Sequence, residues 1–213
     1  MGKIMEAIFC VAYMIIVVIL GIRIAGNGKK SGKMQMLWYG IMCLVLVFGD
    51  AFHLVPRVLA AVNRSGDYHA AMGIGTLITS ITMTIFYLIM YFIYKNRYGM
   101  ENKILTAAML ALSVARIVLC LFPQNDWTGE SPVIWGIYRN IPFVIIGLIM
   151  VILFVRSRSD KAFRWMWLAI TLSFAFYLPV VLWSDISPMI GMLMLPKTCM
   201  YIWMVVMGYK ESK

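Results

Sequence analysis

Residues 133–155 read VIWGIYRNIPFVIIGLIMVILFV, a stretch with a single charged side chain, Arg139. As a helix rising 1.5 Å per residue it is roughly 34 Å long, enough to cross a hydrocarbon layer about 30 Å thick. Six comparable apolar stretches accompany it, at 6–25, 35–56, 73–94, 104–122, 163–183 and 187–208. Lipid offers the backbone no hydrogen-bond partner, so each stretch must close its own hydrogen bonds as a helix. The chain therefore reads as all-α, a polytopic membrane protein with one seven-transmembrane-helix bundle over residues 1–213. A hydrophobic share of 62% and a mean hydropathy of +0.86 agree with this class. No polar stretch is long enough for a separate soluble domain.

A net charge of +10 could suit nucleic acid, but its placement assigns it to the membrane. Arg23, Lys29, Lys30 and Lys33 follow the first stretch. Lys95, Arg97 and Lys103 lie between the third and fourth, and Arg156, Arg158, Lys161 and Arg164 between the fifth and sixth. Lys210 and Lys213 close the chain. All of these fall on one face of an alternating bundle, whereas Asp67, Asp126, Glu130 and Asp185 fall on the other. The excess of Lys and Arg makes the first face cytoplasmic, with the N terminus outside and the C terminus cytoplasmic in a plasma (cytoplasmic) membrane. Membrane lipids are the expected partners of those bases, and nucleic acid is not. The first stretch is long, is followed by Arg23 and lacks an Ala-x-Ala site, so it reads as a retained helix and not a cleaved signal.

Cys10, Cys43, Cys120 and Cys199 show no paired spacing, and His53 and His69 are the only histidines. Neither a disulfide frame nor a three-histidine zinc site follows, and no metal or cofactor is expected.

Charged groups inside membrane spans are costly and usually face an interior cavity. The second stretch carries Asp50, His53 and Arg57 at i, i+3 and i+7, on one helical face. The fourth carries Arg116, the fifth Arg139 and Asn140, and the seventh Lys197 near its middle, while Asp185 lies just past the sixth. Counted along the alternating helices, these groups converge on the outer half of one bundle. Asp50 could pair with Lys197 or Arg116, yet four basic groups outnumber the acids. The surplus favours an anionic amphiphile, its phosphate or carboxylate held by Arg57, Arg116, Arg139, Asn140 and Lys197. Pro56, Pro142, Pro179 and Pro196 could kink their helices and widen the space.

The Gly49-Asp50 step, Ser184-Asp185 before the last stretch, and the Thr198–Trp203 segment together resemble the YhhN-like lysoplasmalogenase family of integral membrane proteins. The resemblance implies hydrolysis of a lysophospholipid vinyl ether. In that chemistry Asp50 would be the general acid and Asp185 would orient or deprotonate water. Arg116, Arg139 and Lys197 would hold the lipid phosphate. Apart from the resemblance, His53, one turn from Asp50, reads as a hydrogen-bonded packing histidine or as a group that tunes or relays a proton. Two other readings remain. A transporter or receptor for a small anionic or lipid-like ligand would use the same polar cavity without chemistry. Lys197 in the last helix also resembles the retinal-binding lysine of microbial rhodopsins, with Asp50 as the sole counterion candidate.

Overall fold

The computed structural model describes residues 2–63, 66–129, 131–183 and 186–213. Every regular element among them is helical: α1 (Gly2–Lys30), α2 (Met34–Val62), α3 (His69–Arg97), α4 (Lys103–Leu121), α5 (Val133–Arg156), α6 (Met166–Trp183) and α7 (Met194–Ser212). Short 3-10 turns occupy Pro123–Asn125 and Pro188–Leu193. Seven candidate spans are long and apolar enough to cross a membrane, the seventh running from Met189 through the second 3-10 turn. α1, α2 and α3 each have 29 residues. At about 43 Å they overrun the hydrocarbon and reach the polar headgroup layers. This is why they extend beyond the apolar stretches of the sequence and end in Lys29, Lys30, Lys95 and Arg97.

The seventh helix departs from the sequence reading. A continuous helix from residue 187 was expected, but the chain winds as a 3-10 turn first and α7 begins at Met194. Gly191 weakens helix within that turn. Pro196 falls in the first turn of α7, where its missing N–H has no intrahelical carbonyl to reach, so the helix continues through it. Lys197 consequently sits in the first turn of α7, nearer one end than its expected mid-helix position.

Consecutive helices pack as neighbours, and α1 also meets α7, so the bundle closes on itself. Helix contact inside lipid depends on close approach, and small residues permit it. A Cβ on Gly40 would lie 2.5 Å from the Ala25 amide nitrogen and 2.7 Å from the Gly21 carbonyl oxygen, so only glycine lets α2 lie this close to α1. Gly75 of α3 presses on the Phe52 carbonyl of α2. Pro56, one turn on, lacks the N–H that would have bonded that carbonyl. Tyrosines tie other pairs together: Tyr39 donates to the Met204 carbonyl at 2.7 Å, and Tyr94 to the Leu153 carbonyl at 2.9 Å. Tyr87, Phe143 and Phe174 form an aromatic centre between α3, α5 and α6, with ring centroids 4.9–5.7 Å apart.

One end of the bundle is locked by charge. Arg97 Nε meets Asp160 at 2.7 Å and Arg97 Nη1 meets Glu211 at 2.9 Å, joining α3, the α5–α6 connection and α7. Tyr98 donates to the same Asp160 oxygen at 2.7 Å. Partial burial pushes the Asp160 carboxyl up, but hydrogen bonds from Arg97, Tyr98 and the Ala162 amide outweigh it and hold it below the ordinary carboxylate value. Arg97, read from sequence only as a topology charge, is also a structural tie.

Candidate functional site

At the opposite end, the half holding the α2–α3, α4–α5 and α6–α7 connections, six helices surround a cavity of about 370 Å³. Asp50, His53 and Arg57 come from α2, Thr76 and Ser80 from α3, and Arg116 from α4. α5 gives Arg139 and Asn140, α6 Tyr177, and α7 Lys197 and Tyr201. Every candidate residue named from sequence therefore lines this one space, except Asp185, which lies outside the described residues. His69 starts α3. It lines an adjoining space of about 820 Å³, which shares Thr76, Ser131, Pro132, Val133 and Arg139 with the inner cavity.

The helices bring these residues together with very different partners. Arg116 is 2% exposed. Its guanidinium carbon lies 3.3 Å from the Phe143 ring centroid, and its Nε and Nη1 have no hydrogen-bond partner. Lys197 Nζ lies 4.4 Å from the Tyr177 ring centroid and 5.5 Å from that of Tyr201. No carboxylate of the described residues comes within ion-pair distance of Arg116, Arg139 or Lys197. Cation–π contact offsets part of the cost of burying these charges but supplies no counter-charge.

Asp50 pairs with neither Lys197 nor Arg116. Tyr13 of α1, buried to 1% exposure, donates its hydroxyl to Asp50 Oδ2 at 2.6 Å. Arg57, expected to hold ligand, lines the cavity but is engaged by Glu6 at 2.6 Å. Glu6 lies at the edge of the first apolar stretch and did not enter the charge count made from sequence. Asn140 is likewise committed, donating to the Gly136 carbonyl and accepting from Tyr177, both at 2.8 Å. His53 Nδ1 faces the Thr76 hydroxyl at 3.1 Å and the Met72 carbonyl at 3.4 Å. Thr76 also donates to the Met72 carbonyl at 2.8 Å. A carbonyl only accepts, so both neighbours are satisfied when Nδ1 carries the proton. A packed, hydrogen-bonded histidine fits this geometry.

Arg139 owes its position to the α4–α5 connection, which the sequence reading did not single out. Asp126 takes a left-handed conformation, φ 44°, and turns the chain back over the end of α4. The fully buried Asn125 donates to the Leu119 and Phe122 carbonyls at 2.7 and 2.9 Å, satisfying groups left open at the helix end. Its other amide atom accepts from Arg139 Nη1 at 2.8 Å. Trp127 Nε1 donates to the Cys120 carbonyl at 2.9 Å, and the Trp127 ring lies 4.4 Å from the Arg139 guanidinium carbon. The charge of Arg139 is thus held by neutral groups at the boundary between the two spaces. An isolated Pro-Gln-Asn-Asp-Trp segment gives no hint of that role. Tyr13 was easier to find, being the only hydroxyl in the first apolar stretch.

The four cysteines are free, and no group of three His, Cys, Asp or Glu among the described residues could hold a metal ion. Chemically, the described residues offer three cations without carboxylate partners, one hydrogen-bonded carboxyl group and an aromatic floor. No family model, curated protein or solved structure matches this chain.

Proposed function

We propose that the chain is a multi-pass membrane protein that binds an anionic amphiphile in the cavity between α2 and α7, its headgroup against Arg116, Arg139 and Lys197. The observation that carries this reading is Arg116, buried and lining the cavity with two guanidinium nitrogens, Nε and Nη1, unpartnered. A buried guanidinium without a counter-charge is a costly feature, and an anionic headgroup would neutralise it. The cavity falls within the ~300–1,000 Å³ of small-molecule sites. Its apolar wall includes Leu54, Met83, Val180, Val181 and Met194, beside which an alkyl tail would lie. In phosphatidylcholine nanodiscs, an anionic lysophospholipid should bind more tightly than its neutral counterpart. Arg116→Ala and Arg139→Ala should each weaken that binding by about 1–3 kcal/mol. Unchanged affinity in both variants contradicts the reading.

By the placement of its Lys and Arg residues, the cavity belongs to the outer half of the membrane, with the N terminus outside and the C terminus cytoplasmic.

Asp50 in the same wall favours a second, enzymatic reading, the one implied by the lysoplasmalogenase resemblance. Asp50 would donate its proton to the vinyl-ether carbon remote from oxygen. Water would add to the adjacent cationic carbon, and the resulting hemiacetal would release an aldehyde and the glycerol alcohol. Asp50→Asn should abolish aldehyde release from a vinyl-ether lysophospholipid and leave binding intact. A fully active Asp50→Asn, or wild-type protein that releases no aldehyde, removes this reading and leaves transport or reception of the same ligand class.

A further inference from the structure

We infer that the headgroup is a dianion, a phosphate monoester, and not a singly charged phosphodiester or carboxylate. The inference rests on the anionic-amphiphile reading and adds the headgroup's charge. Two pairings decide it. Arg57 is neutralised by Glu6 at 2.6 Å, so it adds no net charge to the cavity. The remaining charged residues among those described are Arg116, Arg139 and Lys197 against Asp50. With Asp50 ionised the described residues of the wall carry a surplus of two positive charges, and with Asp50 protonated the surplus is larger. A monoanion leaves at least one of these cavity cations uncompensated. A phosphate monoester carries −1.5 to −2 at neutral pH and presents three acceptor oxygens, one for each cation.

The positions of the cations fit one compact group approached from several sides. Arg116 comes from α4, Arg139 from α5 and Lys197 from α7, and the partners fixing Arg139 are the neutral Asn125 and Trp127. Arg116 Nε and Nη1 keep donors free for the oxygens of an anion. An alkyl phosphate and free phosphate share this headgroup chemistry. The apolar wall on α6 and α7 favours the alkyl form.

The test is equilibrium binding at pH 7.5 in phosphatidylcholine nanodiscs, with tryptophan fluorescence as the readout and empty nanodiscs as background. The probes are dodecyl phosphate, methyl dodecyl phosphate, dodecanol and inorganic phosphate. Dodecyl phosphate should bind at least about tenfold more tightly than the methyl diester. Lys197→Met removes one charge from the surplus and should shrink that ratio towards one. Asp50→Asn adds to the surplus and should keep or enlarge it, so the argument remains testable if the lysine variant does not fold. Equal binding of monoester and diester by the wild type overturns the dianion while leaving the anionic-amphiphile reading standing. Binding of neither beyond dodecanol overturns both. Inorganic phosphate binding as tightly as dodecyl phosphate keeps the dianion and overturns the tail site.

Discussion

Arg116 costs the unliganded fold stability. Its charge is buried, its guanidinium is incompletely bonded, and the Phe143 face compensates it in part. A methionine of similar length fills the space without the charge. Arg116→Met is therefore expected to raise stability by about 1–2 kcal/mol, or leave it unchanged, while reducing stabilisation by dodecyl phosphate. Thermal melts with and without the amphiphile check both halves. A melting temperature several degrees lower would make Arg116 a structural residue. The sequence made Asp50, Arg116, Arg139 and Lys197 visible because lipid penalises charge and leaves few places for it. It did not reveal the partners that set their state. Tyr13 on Asp50, Glu6 on Arg57 and Asn125 on Arg139 are contacts between separate parts of the chain, and neither periodicity nor hydropathy encodes them.

At the scale of helices, hydropathy reports length and helical state because the bilayer imposes both. It is blind to packing and to a change of winding among apolar residues. The 3-10 turn at Pro188–Leu193 is as apolar as a helix end, and only its Pro and Gly hint at the difference. The α2–α3 contact shows the same gap. Pro56 leaves the Phe52 carbonyl without its helical partner, and Gly75 brings α3 onto that carbonyl. Even a methyl group at position 75 would collide with backbone, which cannot swing aside as a side chain can. Gly75→Ala should therefore destabilise by about 1–3 kcal/mol through overpacking. The adjacent Thr76 and His53 would shift with it and weaken ligand binding. Chemical or thermal denaturation of the purified variant measures the first effect, and wild-type stability would refute the contact.

At the scale of the whole molecule, the two ends are built for different tasks. The end with Arg97, Asp160 and Glu211 has its charges paired across three segments, as a permanent tie requires. The opposite end keeps three cations without carboxylate partners among the described residues, around a space large enough for a headgroup and part of a tail. The paired end is expected to face the cytoplasm because most Lys and Arg residues cluster there. In a background lacking the four native cysteines, Gln124→Cys should react with an impermeant thiol reagent added outside intact cells, and Ser159→Cys should not. Both positions are exposed. The reverse pattern would invert the protein in the membrane. Binding of an anionic headgroup at the end opposite Arg97 is visible in a density map of the protein with dodecyl phosphate. Headgroup density should lie within hydrogen-bonding distance of Arg116, with Arg139 and Lys197 around it and the tail along α6 and α7. A headgroup found only at the lipid-facing surface or beside the Arg97 end, with the cavity filled by water alone, would contradict it.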